Sequence, residues 1–539
     1  WTLAPEESRT LVFSLPATPM RSAAVLAENV FTANFDKLRE NAVRYWQNAL
    51  SRGMQITLPE RKADAAWRAN LVYHLIAGNQ FNALERQFDH SGFDLRETAL
   101  LVRLLDLTGQ HEFSKKILRR LWLAQAPGAM FSIALGEIGP LLWAYGQHLE
   151  LTRDWTFGRE VYPALKKTLH ALHDARQREP WKILPATVAG KRAIHPIGDH
   201  FYALLGWRYA IQIARAVGAP EDVSFFTKES EALRKVFDRR LNEVTKANDG
   251  FIPPALEMES GFDAGNLAAV YPTEMLAPTN ENVSATLERA RGQFDEGLLT
   301  QSEARAPFDF WMYPDLTAYV AETELRRGEQ ANVIERLYAL LMHTSATHFG
   351  CDERLQSWGD RNCPALPVSF LQPGRSGFAA SLLMLVRNML LREDGHELHL
   401  LSAVSPAWIK TGEKISVQNG ETNFGKISFA VEMMDNRMVM DFSANWQTPP
   451  QRLILHFPYF AKVERVVADG RGIALGKKQD NAQLPPQVRR VEIYWQNQAE
   501  RQRLSFAATV EDFKREYRER YQLLKASKAV TAAPPSEKQ

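Results

Sequence analysis

Gly139-Pro-Leu-Leu-Trp-Ala-Tyr-Gly-Gln-His-Leu-Glu-Leu-Thr-Arg-Asp154 is the stretch that decides the fold. Leu141, Leu142, Tyr145 and Leu149 recur at three-four spacing, which places them on one face of a helix. Leu151-Thr-Arg-Asp154 then breaks that helix, and a second helical pattern begins at once. The same ending recurs at Leu107-Thr-Gly-Gln110, Ala216-Val-Gly-Ala-Pro220 and Arg326-Arg-Gly-Glu329. Gly109, Gly218 and Gly328 suit the position after a helix that needs positive φ. The interval between Gly218 and Gly328 has room for two hairpins, one of them hidden in the weakly patterned residues 262–300. Repeated helical hairpins predict a stacked array or a closed toroid.

Outward from that stretch, residues 63–392 keep the helical pattern. Trp67, Leu71, Val72, Leu75 and Ile76 form one stripe, and Leu100, Leu101, Leu104 and Leu105 another. Ile117, Leu118, Leu121 and Trp122 follow, then Phe201, Leu204, Leu205 and Ile211, and finally Leu382, Leu383, Val386 and Met389. After Gly395 the period changes from three-four to two. Residues 397–402, 414–417, 425–431, 438–442, 452–457, 463–467 and 491–494 alternate apolar with polar between Gly, Asn and Pro breaks, which predicts an antiparallel β-sandwich. At the other end, residues 2–16 read as one isolated strand, the close of an N-terminal β-domain, followed by a helix from residue 34. The expected division is 1–33 for the strand remnant, 34–62 for a linker helix and 63–394 for the helical domain. Residues 395–508 make the β-domain, and 509–539 a charged helix with a disordered tail.

The 539 residues carry a net charge of +2, with 45% apolar and 24% charged residues. Such a balance argues for a folded chain and against broad binding to a phosphate backbone, so no nucleic-acid partner is expected. Two cysteines, Cys351 and Cys363, exclude a disulfide framework, although in an exported protein they are near enough in sequence to pair. No apolar run reaches the ~20 residues of a membrane span. The chain starts at Trp1 and so reads as a processed or excised product, with a periplasmic or secreted location favoured.

Gly-rich phosphate loops, HExxH pairs, GxSxG elbows and paired CxxC motifs are absent from the sequence. Chemistry is therefore sought where the inner, more apolar helices begin. Those starts hold Asp94, Arg96 and Glu97; Glu137; Asp199 and His200; Trp311 and Asp315; and Arg375. Asp94, Asp199 and Asp315 also suit plain helix capping. His195 and His200 flank Asp199, but no third ligand stands at metal spacing, so no metal or other cofactor is expected. Residues 349–360 carry Asp352, Glu353 and Asp360 with Trp358, more charge than a connector needs. Two carboxylates across a pocket serve glycosidic hydrolysis, one protonating the leaving oxygen and one activating water, about 6.5–9.5 Å apart for inversion. Trp311 and Trp358, placed in loops, suit stacking on a sugar face.

The ensemble resembles the six-hairpin, (α/α)6-barrel glycosidases: glucoamylase-like, trehalase-like, processing α-glucosidase-like and α-L-rhamnosidase-like enzymes. The residues that carry the resemblance are Tyr45-Trp46 before Ile56-Thr-Leu-Pro59, Arg96-Glu97, Gly139 to Tyr145 with Leu151-Thr-Arg-Asp154, and Tyr162-Pro-Ala-Leu165. Asp199-His-Phe-Tyr202, Arg387 to Asp394, and Trp408 through Asn423-Phe-Gly-Lys-Ile427 complete it. The resemblance implies a glycoside hydrolase acting on an oligo- or polysaccharide by an inverting mechanism. It places the general acid at Asp199, or else Glu137, and the base at Glu353, or else Asp352. Asp94, Arg96, Glu97, His200, Trp311, Asp315, Trp358 and Arg375 would hold the sugar. The family's tryptophan before the acid is missing, since Pro196-Ile-Gly198 stands there. Two other readings stay open: a phosphorylase or polysaccharide lyase on the same barrel, and a non-catalytic carbohydrate- or protein-binding scaffold.

Overall fold

The computed structural model describes residues 2–11, 13, 34–83, 95–123, 135–189, 192–257, 261–300, 311–351, 355–356, 376–409, 412–434, 436–497 and 504–531. They fall into two units, Trp1–Gly53 and Met54–Gln539.

Of the strand expected over 2–16, residues 2–11 and 13 are described; 2–11 contain a turn, with Glu7 N–H closing on the Ala4 carbonyl at 3.0 Å and Glu6 at φ 67°, and the rest of that segment lies outside the described residues. The expected helix is present as α1 (Phe35–Ser51), capped by Asn34, whose side chain accepts from Lys37 N–H at 3.0 Å.

The second unit opens with β1 (Gln55–Thr57), then α2 (Arg61–Ala83), α3 (Leu95–Leu107), α4 (His111–Leu123), α5 (Gly139–Thr152), α6 (Trp155–Arg178), α7 (Ile197–Val217) and α8 (Pro220–Lys246). Further on come α9 (Glu281–Arg291), α10 (Pro314–Arg326), α11 (Gln330–Met342) and α12 (Ser376–Leu390). The helix ends are where the sequence put them: Gly109, Gly218 and Gly328 take φ of 80°, 81° and 76°, and Asp154 caps α6 by accepting from Phe157 N–H at 3.0 Å. The hairpin expected within 262–300 is there, but its first member is only the 3-10 segment Ala264–Ala269, which is why the three-four pattern was weak.

Helices alternate between two environments. Along α5 nearly every residue from Gly139 to Leu149 is buried, whereas α6 buries one stripe, Phe157, Val161, Leu165, Leu169 and Leu172. α3 packs on α5, α5 on α7, α7 on Ala264–Ala269, that segment on α10, α10 on α12, and α12 returns to α3. The α5–α7 approach needs glycine. A Cβ on Gly139 would lie 2.4 Å from the Tyr202 carbonyl carbon, and one on Gly206 would lie 2.9 Å from the Leu142 Cβ.

Two small sheets interrupt the helical stretch that the sequence reads as continuous. β2 (Thr187–Ala189) and β3 (Arg192–Ile194) form a hairpin. β4 (Phe294–Asp295), β5 (Leu298–Thr300), β6 (Trp311–Tyr313) and β7 (Leu355–Gln356) form a four-stranded sheet, so Trp311 lies in a strand and not in a loop. After α12 come β8 (Leu391–Asp394) and β9 (Glu397–Leu400), then β10 (Lys414–Thr422), β11 (Gly425–Met434), β12 (Arg437–Trp446) and β13 (Arg452–His456). β14 (Ala461–Ala468), β15 (Arg471–Ile473), β16 (Asn481–Leu484), β17 (Arg490–Asn497) and the charged helix α13 (Phe506–Thr531) end the described chain. Residues 532–539, read as disordered, lie outside the described residues.

Seven strands form one sheet, β1-β10-β11-β12-β17-β14-β15, and four form the other, β16-β13-β9-β8. Alternation along β11 buries Ile427, Phe429, Val431 and Met433 while Lys426, Ala430 and Glu432 face out. Two expectations change here. The pairing of β9 with β13 is parallel, Leu398 opposite Leu453, because the chain passes through the other sheet before returning. β1, read as the end of the linker, is an edge strand of the C-terminal sheet, with Ile56 opposite Val417.

Candidate active site

The N-terminal ends of α3, α7 and α10, and the turn ahead of α5, carry polar residues singled out in the sequence. Arg96 and Glu97 lie in the first turn of α3 and Asp199 in the first turn of α7. The Arg96 guanidinium donates to the Asp199 carboxylate, and its centre sits 5.5 Å from the Tyr202 ring centroid. Asp199 is buried, and Arg96 retains a third of its side-chain exposure. Burial opposes the charge on Arg96, but Asp199 and then Tyr202 outweigh it and hold the guanidinium above its ordinary value.

The approach of Arg96 to α7 depends on Gly198, where a Cβ would lie 3.1 Å from a guanidinium nitrogen and 3.4 Å from Asn266 Oδ1. Asn266 in turn donates to the Pro253 carbonyl at 2.8 Å. The segment ahead of Asp199 is clamped on both sides. Ile197 N–H donates to Pro254 O at 3.1 Å, and Leu256 N–H to His195 O at 3.0 Å. His195 N–H donates to Glu257 Oε2 at 2.9 Å, while its ring Nδ1 contacts the other Glu257 oxygen and Nε2 stands 3.4 Å from Glu179.

Tyr202 links this cluster to α10. Its hydroxyl lies 3.2 Å from that of Tyr319, and its ring centroid 5.9 Å from Trp143 on α5. Burial first, then Tyr202, pushes the Tyr319 hydroxyl well above its usual range; Arg96 opposes this and Asp315 adds to it. Asp315 and Tyr319 line a small cavity with Leu100, Tyr271 and Glu322. On the far side Glu97 lies against α12, its carboxyl carbon 3.2 Å from where a Gly377 Cβ would be.

Arg96, Asp199 and Asp315 therefore share one neighbourhood with Tyr202 and Tyr319. Glu97 stands in the same turn of α3 as Arg96. Glu137, half-buried, ends the 3-10 turn Leu135–Glu137 ahead of α5. His200 does not belong with them. It is fully buried, stacked on Phe237 at 4.9 Å and 9°, with Nδ1 donating to Pro196 O at 2.8 Å. Burial pushes it down to about 3, so it is a neutral core histidine at neutral pH. Trp311 is half-buried in β6, paired opposite Gln356. Asp94, Asp352, Glu353, Trp358 and Arg375 lie outside the described residues, as does Cys363, so the bridge to the buried Cys351 that export would allow falls outside them too. Sequence reasoning missed Tyr319, Asn266 and Glu257. Tyr319 follows Asp315 by one helical turn, a signal that was available; the other two come from irregular segments without a pattern.

Among the described residues no cluster of three or more His, Cys, Asp or Glu is arranged to hold a metal ion, and no helix is long and apolar enough to cross a membrane. No family model and no curated protein matches the sequence. Solved structures do. An α-L-rhamnosidase from Dictyoglumus thermophilum aligns with a TM-score of 0.52 at 12% identity, over 83% of this chain and 50% of that one. A bacterial glucoamylase complexed with acarbose aligns with a TM-score of 0.51 at 11% identity, over 68% of this chain and 62% of that one. The chain thus spans half of the rhamnosidase and less than two thirds of the glucoamylase. At these identities the likeness is one of fold alone.

Proposed function

We propose that this chain is a glycoside hydrolase whose helical hairpins close into an (α/α)6 barrel, with a β-sandwich behind it and the active site at the N-terminal ends of the inner helices. The observation that carries the reading is the cluster of Arg96, Asp199, Asp315, Tyr202 and Tyr319 on α3, α7 and α10. A sugar offers hydroxyls that both donate and accept. Ionised carboxylates accept from them, the guanidinium donates, and aromatic rings cover the apolar face.

Asp199, or else Glu137 ahead of the neighbouring helix α5, is proposed to protonate the leaving glycosidic oxygen. Glu353, or Asp352, is proposed on the sequence pattern to activate water for inversion. Glu97 and Asp315 would complete the hydroxyl contacts.

A panel of aryl glycosides and oligosaccharides, assayed with and without inorganic phosphate, tests the class of reaction. Release of free sugar independent of phosphate supports hydrolysis. A strict phosphate requirement, or an ultraviolet-absorbing unsaturated product, replaces it with a phosphorylase or a lyase.

A further inference from the structure

A second polar cavity lies at the opposite ends of the helices. It encloses about 460 Å³ and is lined by His111, Glu112 and Lys115 of α4, His148 and Thr152 of α5, Asp154, and residues of the large sheet, Glu421, Lys426, Asn445 and Gln447. Asp106, which anchors it from behind, is ten residues along α3 from Arg96, roughly 15 Å at the helical rise. The cavity is therefore separate from the candidate active site. Its size falls within the range of about 300–1,000 Å³ seen for small-molecule sites.

The wall is rigidly built. His148 donates through Nδ1 to both Asp106 oxygens at 3.0 Å, and His111 Nδ1 reaches Asp106 Oδ1 at 3.1 Å. His111 Nε2 faces Glu421 at 3.7 Å, Lys426 pairs with Glu421 at 2.8 Å, and Lys115 pairs with Asp154. Burial opposes a charge on His111, but its bonds to Asp106 and Glu421 raise it to about 9, so it is cationic at neutral pH. Three cations, His111, Lys115 and Lys426, then face three anions, Glu112, Asp154 and Glu421. The lining is neutral and its lysines are already paired, so an ionic ligand would gain little and would break existing pairs. What remains to be used is hydrogen bonding. Among the described residues the side chains of Glu112, Asn445 and Gln447 make no hydrogen bond, and all three are exposed at the rim. An acceptor and two amides beside fixed ion pairs match a ligand with many hydroxyls and no net charge.

We propose that this cavity binds a neutral polyhydroxylated molecule, a carbohydrate or cyclic polyol, at a site distinct from the candidate active site. The inference does not depend on the hydrolase reading, because none of its residues is placed in that chemistry.

Calorimetric titration of the full chain with D-glucose and myo-inositol, and with sulfate and citrate as charged probes, tests it. At least one neutral probe is expected to bind, with a Kd raised about tenfold or more in a Glu112→Gln/Asn445→Ala/Gln447→Ala variant and unchanged in Asp199→Asn. All three substituted side chains are exposed, and Gln447→Ala alone repeats the test if the triple variant is destabilised. Binding of neither neutral probe, equal affinity in the rim variants, loss of binding in Asp199→Asn, or binding of only the charged probes would overturn it.

Discussion

Arg96 and Asp199, 103 residues apart in sequence, meet in a direct hydrogen-bonded ion pair at the starts of α3 and α7. Removing the guanidinium in Arg96→Gln leaves the buried Asp199 carboxylate without its charge partner and without the donor that orients it. With Asp199 in the active site, kcat/KM should fall about 10²-fold in a variant that circular dichroism shows to be folded. Wild-type kcat/KM in that folded variant removes Arg96 from this role.

Gly139 sets the closeness of α5 and α7. With a Cβ only 2.4 Å from the Tyr202 backbone, Gly139→Ala forces the two helices apart. Overpacking of this kind costs about 1–3 kcal/mol. Urea unfolding should show that loss. Because Tyr202 carries the contact to Tyr319, activity should fall more than stability alone explains.

Arg387 is fully buried and holds Glu393 in a two-bonded pair at 2.5 and 2.7 Å, with a further donation to Glu421 O at 2.9 Å. Burial would raise Glu393, but Arg387 and Arg103 bring it down to about 2. Arg387→Met strands a buried carboxylate and should cost about 3–5 kcal/mol. The double variant Arg387→Met/Glu393→Met should recover much of it. Additive losses in the double-variant cycle would mean that the two residues are not coupled.

His111 makes stability depend on alkaline pH. Its folded value, about 9, is raised above the ordinary 6.5 by Asp106 and Glu421 acting against burial. A raised value means protonation favours the folded state, so the contribution is complete below about 6.5 and is lost as pH climbs through 9. Thermal melts of the wild type should decline across that window, and those of His111→Gln should be flatter there. Parallel curves for the two proteins would contradict the assignment.

The helical hairpins and their ends were legible because three-four apolar spacing and glycine after a helix are local signals, as at Leu141 to Leu149 and at Gly109, Gly218 and Gly328. The β-domain was legible for the same reason, through alternation at residues such as Ile427, Phe429 and Val431. Pairings across long separations left no local trace. β1 joining β10 and the parallel β9–β13 pair follow only from how the chain returns on itself. In the site, Asp199, Arg96 and Asp315 stood out as charges at helix starts. That Asp199 would be met by Arg96, and that His200 one residue on would face Phe237, depends on helix rotation that the neighbouring elements set. Trp311 looked like a loop residue because a three-residue strand is too short to show alternation.

The central claim is that a glycosidic bond is hydrolysed by groups at the N-terminal ends of the inner helices. Its most direct test is the kcat/KM for hydrolysis of whichever glycoside the panel identifies, measured for wild type, Asp199→Asn and Glu137→Gln, each verified as folded by circular dichroism. The expected result is turnover by the wild type, with losses of about 10²-fold or more in both variants. Hydrolysis undiminished in both folded variants would contradict the account, and so would a wild type that hydrolyses no glycoside in the panel.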